Sequence, residues 1–135
     1  MQPCRTNSYL KILLDHPNGE TRFTYARIVK GMVQSLVLFV PAERVDGVPC
    51  LAIGYAVIEG KRGRGLATKT VEKAMDDMFR GLQRNGIPKC YVEAIVATSN
   101  TASNRLATRL LSDSPSSGTD AISGEPIFQY LKLVQ

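Results

Sequence analysis

Ile53-Gly54-Tyr55-Ala56-Val57-Ile58-Glu59-Gly60-Lys61-Arg62-Gly63-Arg64-Gly65-Leu66-Ala67 is the stretch that decides the fold. It reads as a buried strand that runs through a basic, glycine-rich turn into a helix. Such a turn lets backbone N–H groups converge on an anion at a helix N-terminus, so the ligand expected here bears phosphate.

Working upstream, residues 8–14 (Ser-Tyr-Leu-Lys-Ile-Leu-Leu) are strand-like and lead into Asp15-His16-Pro17-Asn18-Gly19. Asn-Gly between apolar runs predicts a hairpin. Residues 22–29 then alternate as a second strand, and Gly31 breaks it. Residues 33–40 form a nearly continuous apolar run, as in a central strand. Asp46-Gly47 with Pro49 predicts another turn before the strand 50–58.

Downstream, Leu66, Val71, Ala74, Met75, Met78, Phe79 and Leu82 recur with helical spacing and make one buried stripe. Gly81, Gly86 and Pro88 close that helix. Residues 90–97 return as a strand, which a right-handed crossover would place parallel to and beside strand 50–58. Asn100-Thr101-Ala102-Ser103 offers capping side chains for a second helix. Residues 112–124 are rich in Ser, Gly, Pro and Asp and predict a mobile loop; a last strand follows. The expected class is α/β of the α+β type, a mixed and mostly antiparallel sheet flanked by helices. Its order is β-β-β-β-α-β-α-β, in a single domain over 1–135.

The turn can be tested against known phosphate motifs. Gly60 and Gly65 have P-loop spacing, but Leu66-Ala67 stands where Lys and Ser/Thr are needed, so the phosphate-reaching amine and the magnesium-binding hydroxyl are missing. A dinucleotide fingerprint would put its third small residue at Thr68 and would belong at the first strand of a βαβ run. Neither motif holds. What remains is Arg62-x-x-Gly65-x-Ala67, with an extra Gly63.

This pattern resembles the [QR]-x-x-G-x-[GA] signature of the GNAT superfamily of acyl-CoA-dependent N-acetyltransferases. The likeness continues through Gly54-Tyr55 upstream, and downstream through Val92-Glu93-Ala94, Asn100, Ser103 and Leu106, over roughly residues 50–111. It implies that acetyl-CoA is the cosubstrate and an amine the acceptor. Gly63 and Gly65 would let pyrophosphate approach the main chain, with Arg62, Arg64, Leu66, Ala67 and Thr68 around it. The pantetheine arm would lie in a gap between strands 50–58 and 90–97, its thioester carbonyl held by a main-chain N–H at Tyr55, Ala56 or Val57. Asn100 and Ser103 would complete the cofactor side. Glu93, an acid inside an otherwise apolar strand near that gap, is the candidate general base.

Two departures from the family pattern stand out. Its proton-donating tyrosine would fall at Ala107 here, and the helices usually found between its first two strands are replaced by little more than Asp15-His16-Pro17-Asn18-Gly19-Glu20. The acceptor side is therefore expected to be open. That leaves three outcomes: a large acceptor such as a protein segment, a wall supplied by a second subunit in a homodimer, or a cofactor binder with weak catalysis.

Composition narrows the remaining classes. The 135 residues carry a net charge of +5, but Lys61, Arg62, Arg64 and Lys69 cluster at the turn. No aromatic residues are interleaved with them as stacking platforms, which argues against nucleic-acid binding. Cys4, Cys50 and Cys90 form no C-x-x-C pair, and no zinc ligand set is available. The N-terminus lacks a signal-peptide core and no apolar run is long enough to span a bilayer, so a cytoplasmic protein without membrane contact is expected. His16, the single histidine, is expected at a surface hairpin tip.

Overall fold

The computed structural model describes residues 2–3, 10–15, 22–57 and 66–135. In chain order the elements are β1 (Gln2–Pro3), β2 (Leu10–Asp15), β3 (Arg22–Val29), β4 (Met32–Val45), β5 (Val48–Val57), α1 (Leu66–Arg84), β6 (Cys90–Ala97), α2 (Thr101–Leu110), β7 (Ser116–Thr119) and β8 (Pro126–Val134). They build one eight-stranded sheet in the order β1-β2-β3-β4-β5-β6-β8-β7. Every pair is antiparallel except β5–β6, as the crossover rule requires of strands joined through a helix.

The hairpins follow local chemistry. Lys30-Gly31 and Asp46-Gly47 both take positive φ at the two central positions, 52° and 76° in one, 50° and 77° in the other. Paired left-handed residues make the turn whose twist matches that of the flanking strands. Strand β4 runs past the expected end at residue 40, through Pro41, to a register shift between Ala42 and Val45. Its last rung with β3 is Phe39, so Pro41 lies where only β5 pairs with β4 and a missing N–H costs least. Asp15 pairs with Arg22, so β2 and β3 are hairpin neighbours and the six intervening residues are too few for the two helices the family usually places there.

Both helices pack on the same face of the sheet. Val71, Ala74, Met75 and Met78 of α1 and Leu106 of α2 share a buried cluster with Tyr25, Val37, Phe39, Leu51 and Val92. Ala107 of α2 meets Ala94, Val96 and Tyr130. Tyr25 and Phe39 add an edge-to-face ring contact at 5.9 Å, a geometry that ring quadrupoles favour. The two polar side chains that α1 buries find partners: Thr70 Oγ1 lies 2.6 Å from Ser35 Oγ, and Tyr25 donates to Asp77 Oδ2 at 2.9 Å. Gly86 at φ 81° ends α1, with Ile87 N–H donating to Leu82 O and Gly86 N–H to Gln83 O; together these satisfy carbonyls that the helix leaves open.

Two strands, the short β1 and β7, are added to the order expected from the sequence. Residues 112–124 are not simply a mobile loop, because Ser116–Thr119 forms β7 against Pro126–Gln129 of β8. A tight turn follows, in which Asp120 Oδ1 accepts from the N–H groups of Ile122 and Ser123, both at 2.8 Å. The polar sequence carries no alternation, so its strand conformation comes from pairing with β8. Cys50 and Cys90 are free and buried, as expected of small core side chains; Cys4 lies outside the described residues.

Candidate active site

The sheet opens where its parallel pair ends. Strands β5 and β6 share three rungs, Cys50 with Tyr91, Leu51 with Val92 and Ala52 with Glu93. Beyond them Ile53–Val57 stay paired with β4 on one side, and 94–97 stay paired with β8 on the other. Among the described residues no strand fills the gap between, so the peptide groups of 53–57 that face it are available to a ligand that can satisfy them. Gly54 stands on its rim, and a Cβ built there would meet nothing within 4 Å.

Helix N-termini frame the mouth of this cleft. Leu66, Ala67 and Thr68 open α1, and Asn100 caps α2, its Oδ1 accepting from Ser103 N–H at 3.1 Å. Both helix dipoles therefore present partial positive charge to the same end of the gap. Arg62, Gly63, Arg64 and Gly65 connect β5 to α1 but lie outside the described residues, as does His16. Tyr55, Ala56 and Val57 are on β5, past its last rung with β6.

Tyr55 reaches across the cleft on the helix side, donating to Ser103 O at 3.1 Å. Burial raises its phenol above the ordinary value, with the bond to Ser103 acting the other way. A second set of bonds pins α2 to the end of β6: Tyr130 donates to Asn104 Oδ1 at 2.6 Å, and Asn104 Nδ2 donates to Ala97 O at 3.0 Å and to Asn100 O at 2.9 Å. Ala107 is fully buried against Tyr130, so a larger side chain there would need repacking.

Glu93 occupies the last rung before the strands part, on the face away from the helices. It is half-buried and accepts from Gln129 Nε2 at 2.8 Å. Three residues of strand, about 10 Å, separate that rung from Tyr55. Glu93 and the Tyr55 hydroxyl thus lie on opposite faces of the sheet, with the cleft between them.

Three features escaped sequence reasoning. Gln129 reaches Glu93 only through the β6–β8 register, which leaves no local signal. The Tyr55 hydroxyl bridge depends on where α2 packs. Arg27 pairs with Ser35, which pairs with Val57 and contacts Thr70 of α1; it carries its charge on the row that ends at the cleft mouth. Its Nε is buried without a hydrogen-bond partner, an arrangement that invites an external acceptor.

A family model described as an acetyltransferase (GNAT) domain matches residues 6–110. No curated protein matches the sequence. Among solved structures, the fold is similar to a GNAT-family acetyltransferase from Streptococcus pneumoniae, at TM-score 0.62 and 16% identity over 84% of this chain and 67% of that one. It is also similar to an acetyltransferase from Salmonella typhimurium that modifies the N-terminal serine of ribosomal protein L7/L12, at TM-score 0.62 and 17% identity over 89% and 67%. Arabidopsis thaliana NAA60, solved with a bisubstrate analogue, aligns at TM-score 0.59 and 16% identity over 86% and 77%. The chain spans about two thirds of the length of the two bacterial structures. With a family model covering most of its length and a sheet that parts where that fold requires, the chain belongs to the GNAT acetyltransferase family.

Proposed function

We propose that this protein is an acetyl-CoA-dependent N-acetyltransferase acting on an amine of a protein or peptide. The observation that carries this reading is the parting of β5 from β6 after Ala52 and Glu93, beside two helix N-termini. Acetyl-CoA would supply the activated acetyl group. The residues that hold it are the turn Arg62, Gly63, Arg64 and Gly65, the first turn of α1 (Leu66, Ala67, Thr68), the free amides of Tyr55, Ala56 and Val57, and Asn100 and Ser103 at α2.

The two faces of the cleft divide the proton work. Glu93 receives the proton of the attacking amine through a bridging water, because its rung lies about 10 Å along the strand from Tyr55. Tyr55 holds a phenol proton on the opposite face, where the departing thiol needs one. A β5 amide polarises the carbonyl that the amine attacks. A protein N-terminus suits the open side best, since proteins of similar fold include one that modifies the N-terminal serine of ribosomal protein L7/L12 and an L7/L12 alpha-N-protein acetyltransferase, and no described helix walls the face that Glu93 occupies.

Free thiol released from acetyl-CoA, measured over peptides with free and blocked N-termini, tests the proposal. Release with free N-termini alone is expected. Gly65→Glu should abolish it by steric block and charge repulsion at the pyrophosphate. The competing reading is a CoA-binding module without turnover, favoured by Ala107 in place of the family's tyrosine. Calorimetric CoA binding with no thiol release from any amine would establish it instead.

A further inference from the structure

A second groove lies on the outer side of α2, away from the α1 side of the cleft. It has a volume of about 440 Å³, with Phe128 of β8 at one side and Thr98, Thr101, Arg105, Thr108 and Arg109 around it. On α2 these residues recur at 101, 105, 108 and 109, the spacing of one helix stripe. The stripe is about 12 Å long, the reach of roughly four residues of extended chain. The groove is open along this length, whereas small-molecule sites enclose most of their ligand.

Among the described residues no carboxylate lines it. On α1, Arg80 has Asp76 one turn earlier and bonds both its oxygens at 3.1 Å. On α2 the equivalent position before Arg105 is Thr101, and before Arg109 it is Arg105. Like charges four apart oppose helix formation. Arg109 is offset by the helix C-terminus, but Arg105, in the middle of α2, has no such benefit. Two exposed guanidinium groups with aliphatic stems beside a half-buried ring make a surface that selects carboxylates flanked by apolar side chains.

We infer that this groove docks an extended acidic peptide segment of a partner protein, with carboxylates on Arg105 and Arg109 and an apolar side chain on Phe128. The test uses the full chain and a fluorescein-labelled peptide of alternating Glu and Leu, followed by fluorescence anisotropy at low salt without acetyl-CoA, so it stands apart from the transferase reading. The acidic peptide is expected to bind, its Gln-for-Glu counterpart to bind much more weakly, and added salt to release it. R105E/R109E should lose affinity by about tenfold or more, whereas R44E/K89E, with the same change in net charge, should not. If the double reversal fails a circular-dichroism check, R105Q/R109Q serves, with a smaller loss in the same direction. Equal loss in both reversed proteins would overturn the inference, as would complete displacement by inorganic phosphate alone. A parallel collapse of CoA affinity in R105E/R109E would assign the groove to the cofactor and overturn it too.

Discussion

The two faces of one sheet are built from alternate residues of the same strands, yet they serve different ends. On the helix-covered face Tyr25, Val37, Phe39 and Val92 are sealed, none more than 1% exposed. On the other face Leu36 is 38% exposed and Ile95 54%, and half-buried Glu93 accepts a bond from Gln129. The covered face holds the fold together and places two helix N-termini at the cleft. On the other face no described helix covers the proposed acceptor side of the cleft, so on the proposed function stability and catalysis should respond to different substitutions.

The largest effect should come from breaking the covered face. Phe39→Ala removes a sealed ring from contact with Tyr25 and is expected to cost about 3–5 kcal/mol, whereas Leu36→Ala, three residues earlier on the opposite face and partly exposed, should cost under about 1 kcal/mol. Urea denaturation of the two variants measures the difference directly. Equal losses would mean that the exposed face is packed in solution, by a second copy or another partner.

Next in size is Glu93→Gln. Removal of a general base typically lowers turnover by about 10²–10⁴. The amide keeps the size of the side chain, so the fold and CoA affinity should be unchanged. Thiol-release kinetics beside calorimetric titration separate the two quantities. Unaltered turnover at every pH would clear Glu93 of the role and make its bond to Gln129 a strand-pairing contact only.

A smaller effect is expected at Arg27, half-buried on the covered face, where among the described residues a side-chain nitrogen is buried without a hydrogen-bond partner. Arg27→Met removes the orphaned Nε, so thermal stability should hold or rise slightly. CoA affinity should fall about tenfold if the guanidinium serves a phosphate oxygen. Lost stability with intact affinity would make Arg27 a packing residue.

How much of this was legible in the sequence depends on whether a signal is local. Asp46-Gly47 announces its own turn, the stripe from Val71 to Leu82 its own helix, and the parallel neighbour of β5 follows from chain handedness. Ser116–Thr119 announces nothing: four exposed residues become a strand because β8 offers unpaired backbone. The rung at which β5 and β6 part is likewise absent from residue preferences, since Ile53 is as good a strand former as Leu51. The turn residues 62–68 could be proposed for a cofactor because binding phosphate through backbone and glycine would leave a pattern in the sequence. The partner of Glu93 could not, because it depends on register across another strand pair.

The smallest effect concerns two thiols that back onto opposite faces. Burial is the first cause for both: it pushes the Cys50 thiol up to about 11, with the Glu93 carboxylate next and Cys90 after it. Cys90 is also raised by burial, partly offset by a backbone bond from Leu51. A raised value means that the folded protein favours the neutral thiol. The resulting stability is fully present below the ordinary thiol value of 9.0 and is lost as pH rises through about 11. Urea midpoints should therefore hold steady from neutrality and decline above that lower bound, with Cys50→Ala removing part of the decline. Only Cys50 feels Glu93, so Glu93→Gln should lower the Cys50 value and speed its modification by a thiol reagent in alkaline buffer, while Cys90 stays inert. If the two thiols respond alike, the Glu93 charge does not act on one face alone, and the division of labour across the sheet fails at the residue chosen to carry the proton.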